Sequence, residues 1–457
     1  MKDVSMNKMG TMPINKLMLN MGIPMIMSMV LQAVYNIVDS AFVSNMPENG
    51  ELALNALTLA FPVQLLMVAV GIGTGVGTNA LLARCLGAGD KVRVSKTAGN
   101  AIFLGGVITI IFMLFGIFGS RAYIASQTSN PVILEMGVDY LRICSFFSIG
   151  MVYYAIFEKL LQATGKSVLS TTAQISGAVT NIILDPILIY GLFGLPTMGV
   201  KGAAYATVIG QIVSFVVAMT FHFKSNREIE NGFKYIRHSI KTIMEIYSIG
   251  LTAINAQALT SVMTYGLNII FVGIGESVVT AYGLFYKIQQ FMLFAAFGLR
   301  DAITPIVAFN NGMKDKNRVK DSIKCGMTYT LIIMIVGFVA LELFAQPFSR
   351  MFGLSGETEK YCISAMRVIS ISFVFAGANI AFQGVFQALN AGIESLVISV
   401  CRQIIFIIPI AWFFAIIAGS ENIGLVWSTF PIGEFLTVVI ACVFMSKINK
   451  NKINMLN

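Results

Sequence analysis

Long apolar blocks, separated by short polar connections, run the whole length of this chain. A transmembrane α-helix needs about 20 mainly apolar residues. Twelve blocks meet that length: 17–43, 53–80, 99–118, 136–161, 168–190, 200–222, 242–271, 278–308, 326–345, 361–388, 394–418 and 423–446. The pattern therefore predicts an all-α integral membrane protein with 12 transmembrane helices.

The second half of the chain repeats the first at one constant offset, called here the repeat offset, which takes Asp90 to Asp315. Asp90-Lys91-x-Arg93-Val94 recurs as Asp315-Lys316-x-Arg318-Val319, and Gln162-Ala163 recurs as Gln387-Ala388. The offset divides the predicted helices into two six-helix repeats. Internal repeats are typical of secondary transporters, whose substrate sites lie where the repeats meet. We expect an N-terminal lobe at 1–222, a linker at 223–241 and a C-terminal lobe at 242–457.

The composition and the charge distribution agree with a membrane protein. Only 12% of the residues are charged, whereas an ordinary soluble domain has roughly 25%. The net charge is +9, and 23 of the 31 Lys and Arg residues lie in alternate connections, Arg402 included, or at the two ends. Because cytoplasmic loops are enriched in Lys and Arg, we expect a multi-pass protein of the inner or plasma membrane, with both termini and the linker in the cytoplasm. The basic groups then face the lipid bilayer, which excludes nucleic acid as the partner.

The sequence carries no signature of an enzyme. Its six cysteines lack Cys-x-x-Cys spacing, its two histidines lie in or beside the linker, and no nucleophile motif is present. The glycine-rich run 71–77 lacks the lysine of a phosphate-binding loop. We therefore expect no catalytic residue, no clustered metal ligands and no cofactor.

Two acids inside the predicted spans stand out, Asp39 in the first and Asp185 in the fifth. An ionisable residue within a span costs about 2.5–3.5 kcal/mol and is a functional candidate by default. At the repeat offset Asp185 meets the apolar Ile410. We therefore expect charge chemistry in the first lobe only, with Glu342 and Glu434 near the ends of their spans.

Polar residues at helical spacing mark one face of each of four spans, and the two acids belong to two of these faces. They are Ser28, Gln32, Tyr35, Asn36 and Asp39; Gln174, Asn181 and Asp185; Gln257, Thr260, Ser261, Thr264 and Asn268; and Asn379, Gln383 and Gln387. Polar residues in a bilayer must face protein or water. We expect Gln32, Tyr35, Asn36, Gln174, Gln257, Thr264, Asn379 and Gln383 to line a substrate cavity. Hydrogen bonding between helices is the alternative for the uncharged members.

Two prolines lie within the same spans. Pro24 and Pro186 each remove a backbone donor from a helix, and Pro186 directly follows Asp185. A helix can bend at such a position, so the sequence predicts hinges at Pro24 and Pro186. A static kink is the alternative at each.

Five short motifs follow one another along the chain in a specific order. They are Pro24 with Tyr35-Asn36-x-x-Asp39-x-x-Phe42-Val43; Asn181-x-x-x-Asp185-Pro186; Met198-Gly199-Val200-x-Gly202-Ala203-Ala204-x-Ala206-Thr207; Pro305-Ile306-Val307-x-x-Asn310-x-Gly312; and Arg402-Gln403-x-x-x-x-x-Pro409. With the two sets of six spans, they resemble the multidrug and toxic compound extrusion (MATE) family over nearly the whole chain. The acids of the first lobe resemble its DinF/MepA-like branch.

The resemblance implies a MATE/MOP-like fold and export of amphipathic, often cationic small molecules by proton or sodium antiport, with alternating access. It assigns ion or proton coupling to Asp39, Asn181, Asp185 and Thr207, with Na+ held by the first three. We expect a monomer. The alternative is a flippase for a lipid-linked precursor, which would carry a basic central cavity. The candidate cations for such a cavity, Arg142, Lys287, Arg300 and Arg367, are expected mostly near span ends.

Overall fold

The computed structural model describes residues 7–46, 50–236, 238–351, 356–419 and 421–456, and within them every regular element is helical. The helices are α1 (Lys8–Thr11), α2 (Ile14–Ser44), α3 (Gly50–Gly87), α4 (Lys91–Phe118), α5 (Ser120–Ala125), α6 (Pro131–Phe146), α7 (Ile149–Ala163), α8 (Ser167–Tyr190), α9 (Val200–Ser225), α10 (Ile240–Val272), α11 (Glu276–Gly312), α12 (Lys316–Met351), α13 (Gly356–Ser370), α14 (Ser372–Ala388), α15 (Gly392–Val400), α16 (Ile407–Ala418), α17 (Ile423–Trp427) and α18 (Thr429–Ile448). Short 3₁₀ segments lie at Leu192–Gly194 and Phe233–Tyr235, and π turns at Cys401–Ile405 and Asn449–Ile453.

Most of the predicted spans correspond to described helices that are long and apolar enough to cross a membrane. Nine spans within the described residues are long and apolar enough on their own. Two bent pairs, α6 with α7 at 45° and α13 with α14 at 49°, raise the number to eleven. The 33-residue α10 covers the remaining predicted block, 242–271, but is less apolar than the other spans. The predicted fold class, an all-α membrane protein of two six-helix repeats, is confirmed.

The repeat is visible in where the helices begin and end. α3 and α11 end at Gly87 and Gly312, and α4 and α12 begin at Lys91 and Lys316, so both boundaries keep the repeat offset. The N-cap residue before α4, Asp90, accepts a hydrogen bond from the backbone N–H of Arg93 at 2.9 Å. Asp315 does the same for Arg318, also at 2.9 Å. Such a cap stabilises a helix by about 1 kcal/mol, so both repeats start this helix by the same local rule.

The chain forms two compact units, which are called here the first unit (built on Met27–Ile254) and the second unit (Lys8–Ile26 with Asn255–Asn457). The division falls inside α2 and α10. The linker lies on the first unit, where the backbone N–H groups of Glu230 and Ser239 donate to side chains of α4. The lobe boundaries expected from the sequence, 1–222, 223–241 and 242–457, stay a prediction.

Close contact between α8 and α9 in the first unit positions the residues that matter most below. A Cβ on Gly177 would overlap the Ser214 hydroxyl and the Gly210 carbonyl oxygen. A Cβ on Gly210 would lie 3.0 Å from the Cβ of Asn181. Glycine therefore lets the two backbones approach, and Asn181 faces α9 as a result.

Aromatic rings fasten α10, α11 and α17 together in the second unit. The ring centroids of Phe271 and Tyr282 are 4.9 Å apart, and those of Phe271 and Trp427 are 5.3 Å apart. Both pairs have the edge-to-face geometry that aromatic rings prefer. The cluster fixes α10 against α11, close in sequence to the polar residues Thr264 and Tyr286.

Candidate functional site

Asp185 lies on α8 in the first unit with its side chain fully buried. Its Oδ1 accepts a hydrogen bond from Asn181 Nδ2 at 3.2 Å, one helical turn away. Its Oδ2 is also buried and has no hydrogen-bond partner among the described residues, and the same is true of Asn181 Oδ1. A buried polar atom without a partner is costly, so this pair is prepared to receive another group.

Asp39, on α2, lies close enough to Asp185 for the two carboxylate charges to interact. Its Oδ1 is buried and likewise lacks a partner within the part of the chain that the structure describes. Neither acid forms an ion pair with a described residue. Two like charges in such surroundings repel each other. The arrangement is therefore most stable with a proton or a cation bound, and oxygen ligands of this kind suit a small hard cation.

A hydroxyl cluster adjoins Asp39. Tyr140, buried on α6, accepts a hydrogen bond from Gln64 Nε2 at 3.3 Å, and its hydroxyl also interacts with the side chain of Thr207 on α9. The charge of Asp39 acts on Tyr140. The structure thus brings all four predicted coupling residues into one region of the first unit. The sequence pattern does not single out Tyr140, because a tyrosine in an apolar span resembles a packing residue.

The other predicted residues of the first unit differ in their surroundings. Gln174 accepts a hydrogen bond from the Tyr154 hydroxyl at 3.2 Å, which ties α8 to α7 as the alternative interpretation expects. Gln32 is half-buried. The side chains of Tyr35 and Asn36 lie outside the described part of the chain.

The predicted hinges lie in continuous helices. α2 and α8 run on through Pro24 and Pro186. Two bends of more than 40° lie elsewhere in the described chain, between α6 and α7 and between α13 and α14, where no proline is present. Hinge motion at Pro24 and Pro186 stays a prediction.

Two of the candidate cavity residues of the second unit are hydrogen-bonded to neighbouring helices, and the other two are at least partly exposed. Asn379 donates from Nδ2 to Glu434 Oε2 at 2.7 Å, and Gln383 donates from Nε2 to Ser399 Oγ at 3.1 Å. Both therefore hold helices together, whatever else they do. Gln257 is exposed and Thr264 is half-buried, both on α10.

A buried ion pair in the second unit corrects two expectations. The sequence pattern predicts Glu434 near the end of its span and Arg402 in a connection, but Arg402 lies in the π turn inside the span Gly392–Ala418, and Glu434 lies well inside the span Ile423–Ile453. Arg402 Nε donates to Glu434 Oε1 at 2.5 Å, and both side chains are buried. Buried charges are therefore present in the second unit as well, whereas the expectation that coupling chemistry is confined to the first lobe stays a prediction. The sequence pattern does not reveal the pair, because its members meet only when two helices pack together.

Comparison with known proteins agrees with this architecture. The MatE family model matches residues 24–187 and 253–413, in both repeats. Multidrug export protein MepA of Staphylococcus saprophyticus is 24% identical over 428 residues, which cover 94% of this chain and 93% of that protein. MepA of Staphylococcus haemolyticus is 24% identical over 428 residues, with 94% and 92% covered.

Solved structures show the same fold. A crystal structure of MATE in the straight conformation superposes with a TM-score of 0.90 at 22% identity, covering 99% of this chain and 100% of that one. The outward-facing conformation of a multidrug resistance MATE family transporter of the MOP superfamily gives 0.89 at 21% identity, covering 97% and 99%. With the family match across both repeats and the same helical fold, this chain belongs to the MatE family.

Proposed function

We propose that this protein exports amphipathic, often cationic small molecules from the cell in exchange for protons or sodium ions. The observation that carries the proposal is the neighbouring pair Asp39 and Asp185, two carboxyl groups with unpartnered buried oxygens and no ion pair to a described residue. Such a pair attracts a cation, whether that cation is the coupling ion or the charged end of a substrate.

The exchange follows from competition for the same negative charge. When a proton or Na+ occupies the carboxylates, they no longer attract a cationic substrate, and a bound cationic substrate disfavours the ion in the same way. Two ligands that exclude each other are linked by a reciprocal coupling free energy. If the ion and the substrate favour different conformations, inward ion flow drives substrate outward by alternating access.

The remaining residues of the cluster have supporting roles. Asn181 orients Asp185 through its 3.2 Å hydrogen bond and offers its own Oδ1 to a cation. Tyr140 and Thr207 supply hydroxyl groups near Asp39. These oxygen atoms, with those of Asp39, Asn181 and Asp185, are of the kind that Na+ requires, while a proton needs only one of the carboxylates.

The names of the staphylococcal relatives, which are multidrug export proteins, support a broad substrate range. We further propose that the protein works as a monomer in the cell membrane. The charge pattern of its connections supports a cytoplasmic position for both termini. It needs no cofactor beyond the coupling ion.

Transport by the purified protein in proteoliposomes tests the proposal. Ethidium, a permanent cation, serves as the substrate, and a pH gradient and a sodium gradient are imposed separately. We expect one of the two gradients to drive ethidium against its own concentration gradient, and ethidium to drive counterflow of that ion. Ethidium movement that neither gradient changes would contradict antiport.

A further inference from the structure

The charged residues of α6 are two acids, which are paired, and one arginine, Arg142, which is not. Glu135 Oε1 lies 3.2 Å from Arg121 Nη1 of α5. Asp139 Oδ2 lies 3.2 Å from Lys201 Nζ of α9. Arg142 is exposed and forms neither an ion pair nor a side-chain hydrogen bond with a described residue. Because an unpaired charge within a span is a functional candidate, the surroundings of its guanidinium group decide what it can bind.

Arg142 lines a groove of about 510 Å³ on the first unit. The other lining side chains are all apolar and belong to the end of α4, to α6 and to the bend after α6: Ile117, Ile143, Phe146 and Phe147. The ring centroids of the two phenylalanines are 5.0 Å apart, in the edge-to-face geometry that aromatic rings prefer. The groove therefore combines one cationic group with apolar walls.

The groove is continuous with an apolar face of α4. Five large apolar side chains of this helix are between 42% and 77% exposed: Ile110, Ile111, Leu114, Ile117 and Phe118. Because α4 is long and apolar enough to cross a membrane, such a face contacts the acyl chains of the bilayer. Ile117 belongs both to this face and to the lining of the groove. An acyl chain that lies along α4 therefore leads to the guanidinium group.

Arg142 lies near one surface of the membrane. A Cβ on Gly116 would lie 2.9 Å from the Cβ of Ser145 and 3.3 Å from the backbone oxygen of Arg142, so the last turn of α4 is level with the arginine. The 28 residues of α4 extend over about 42 Å at 1.5 Å per residue, which matches a bilayer with its headgroups. Because the linker lies against the first half of α4, Arg142 is at the opposite surface, at the depth of lipid phosphate groups.

The second repeat supplies an internal comparison. The repeat offset takes Arg142 to Arg367, which is exposed in the last turn of α13 and forms no ion pair with a described residue. It takes Ile117, however, to Glu342 of α12, whose Oε1 accepts a hydrogen bond from Ser370 Oγ at 3.4 Å. A carboxylate there repels a phosphate group. Of these two positions, that of the first unit alone combines the arginine with an apolar lining.

We propose that the groove beside Arg142 binds an anionic phospholipid, with the phosphate on the guanidinium group and one acyl chain along α4. Arginine donates parallel N–H hydrogen bonds to phosphate oxygens, and the acids of α6 do not compete, because both are paired. A soluble phosphate would make only the polar contact, whereas a phospholipid also buries apolar surface in the groove. The inference concerns the lipid-facing surface and does not depend on the proposed export function.

Native mass spectrometry of the purified full-length protein in detergent tests the inference. Phosphatidylglycerol and phosphatidylcholine with the same acyl chains are titrated separately, and the affinity for the first bound molecule is compared. We expect the wild-type protein to bind phosphatidylglycerol about fivefold more tightly, the preference that one basic residue gives for an anionic lipid. Arg142→Gln should abolish that preference. Arg367→Gln, the matched control, removes the equivalent charge of the second unit and should leave the preference unchanged.

A further variant tests the groove and not the charge. Ile117→Trp fills the groove from a side chain that is 42% exposed, so the fold should tolerate it. It should weaken phosphatidylglycerol binding by about threefold or more, because the lipid loses its contact with the apolar wall. If Arg142→Gln fails to fold, the wild-type comparison and Ile117→Trp still decide the inference.

Four results would overturn this lipid site. They are equal wild-type affinity for the two lipids, a preference that persists in Arg142→Gln, a preference that Arg367→Gln removes to the same extent, and an unchanged affinity of Ile117→Trp. Displacement of phosphatidylglycerol by an equal concentration of glycerol phosphate would assign the groove to a soluble phosphate and would also overturn it.

Discussion

The two units of this protein share their helix boundaries and differ in their buried charges. Asp90 and Asp315 cap equivalent helices with the same 2.9 Å hydrogen bond. In the first unit Asp39 and Asp185 lie near each other without an ion pair to a described residue, whereas in the second unit Glu434 is paired with Arg402. The helix caps and helix ends are alike in the two repeats because few residue types can cap a helix or end one. Interior polar positions are free to change, provided that each new charge finds a partner or a ligand.

The difference has an energetic meaning. A buried ion pair satisfies itself, and its desolvation cost is offset within the protein. Unpaired carboxylates remain costly until something binds to them. The Asp39–Asp185 region of the first unit is therefore expected to become more stable when an ion or a substrate binds, whereas the Arg402–Glu434 pair of the second unit is complete once the protein folds.

The largest expected effect comes from removing the charges of the first unit. Asp39→Asn and Asp185→Asn should each reduce gradient-driven ethidium export by at least about tenfold, since a lost charge–cation contact exceeds the roughly 1.4 kcal/mol that corresponds to a factor of ten. Because asparagine has nearly the same shape, expression and thermal unfolding should change little. Initial export rates in proteoliposomes give the measurement.

Asp139→Asn is the matched control. Asp139 is on α6 in the same unit, but it pairs at the surface with Lys201 at 3.2 Å, and exposed pairs contribute about 0–1 kcal/mol. Its export rate should stay close to that of the wild type. Full export by both Asp39→Asn and Asp185→Asn would contradict a coupling role for the acids of the first unit.

Breaking the ion pair of the second unit should affect stability first. Glu434→Gln leaves the Arg402 charge buried without its partner and should lower the free energy of unfolding by about 3–5 kcal/mol. The double variant Arg402→Met with Glu434→Gln removes both charges and should regain most of that loss. Unfolding in mixed SDS micelles measures both values. If the double variant is as unstable as the single one, Glu434 does not stabilise the protein through its ion pair with Arg402.

The position equivalent to Arg402 in the first unit should not tolerate even one methyl group. Gly177→Ala would force the new Cβ against Ser214 and the backbone of Gly210, and overpacking of this kind costs about 1–3 kcal/mol. Gly283→Ala on α11 meets no atom within 4 Å, so helix propensity alone should stabilise that variant by up to about 1 kcal/mol. Thermal unfolding of the two purified variants should therefore shift in opposite directions. A stable Gly177→Ala protein would contradict the close α8–α9 contact.

The smallest effect concerns substrate preference in the second unit. Gln257 is exposed on α10, and one amide hydrogen bond to a ligand contributes about 0.5–1.5 kcal/mol. Gln257→Ala should shift the apparent affinity for different compounds by about two- to tenfold, unequally between them, without altering ion stoichiometry. Gln383→Ala, whose amide is held by Ser399, should change selectivity less. Loss of ion coupling in Gln257→Ala would place a cation site in the second unit.

Much of this architecture could be predicted because it depends on local rules. Apolar blocks indicated the helices, the constant offset indicated the repeat, and the rarity of acids in spans singled out Asp39 and Asp185. Asn181 followed from its spacing of one turn, which the 3.2 Å hydrogen bond to Asp185 matches.

The rest depends on contacts between distant helices. Tyr140 joins the first-unit site only because α6 brings its hydroxyl to Gln64 and Thr207. From the distribution of charges along the sequence, Arg402 is expected in a loop. The apolar pattern does not predict the π turn in which it lies. Asn379 lies on a polar stripe that the sequence shows, but its partner Glu434 is 55 residues away, and only the folded structure identifies it.

The ion pair also has a consequence for how the chain enters the membrane. Arg402 precedes Glu434 by 32 residues, so at a synthesis rate of about 5–20 residues per second it leaves the ribosome about 2–6 seconds earlier. During that interval a span with an unbalanced arginine carries a penalty of about 2.5–3.5 kcal/mol at the translocon. The penultimate span is therefore expected to wait beside the translocon and to move into lipid together with the last one, as a hairpin whose charges have already met.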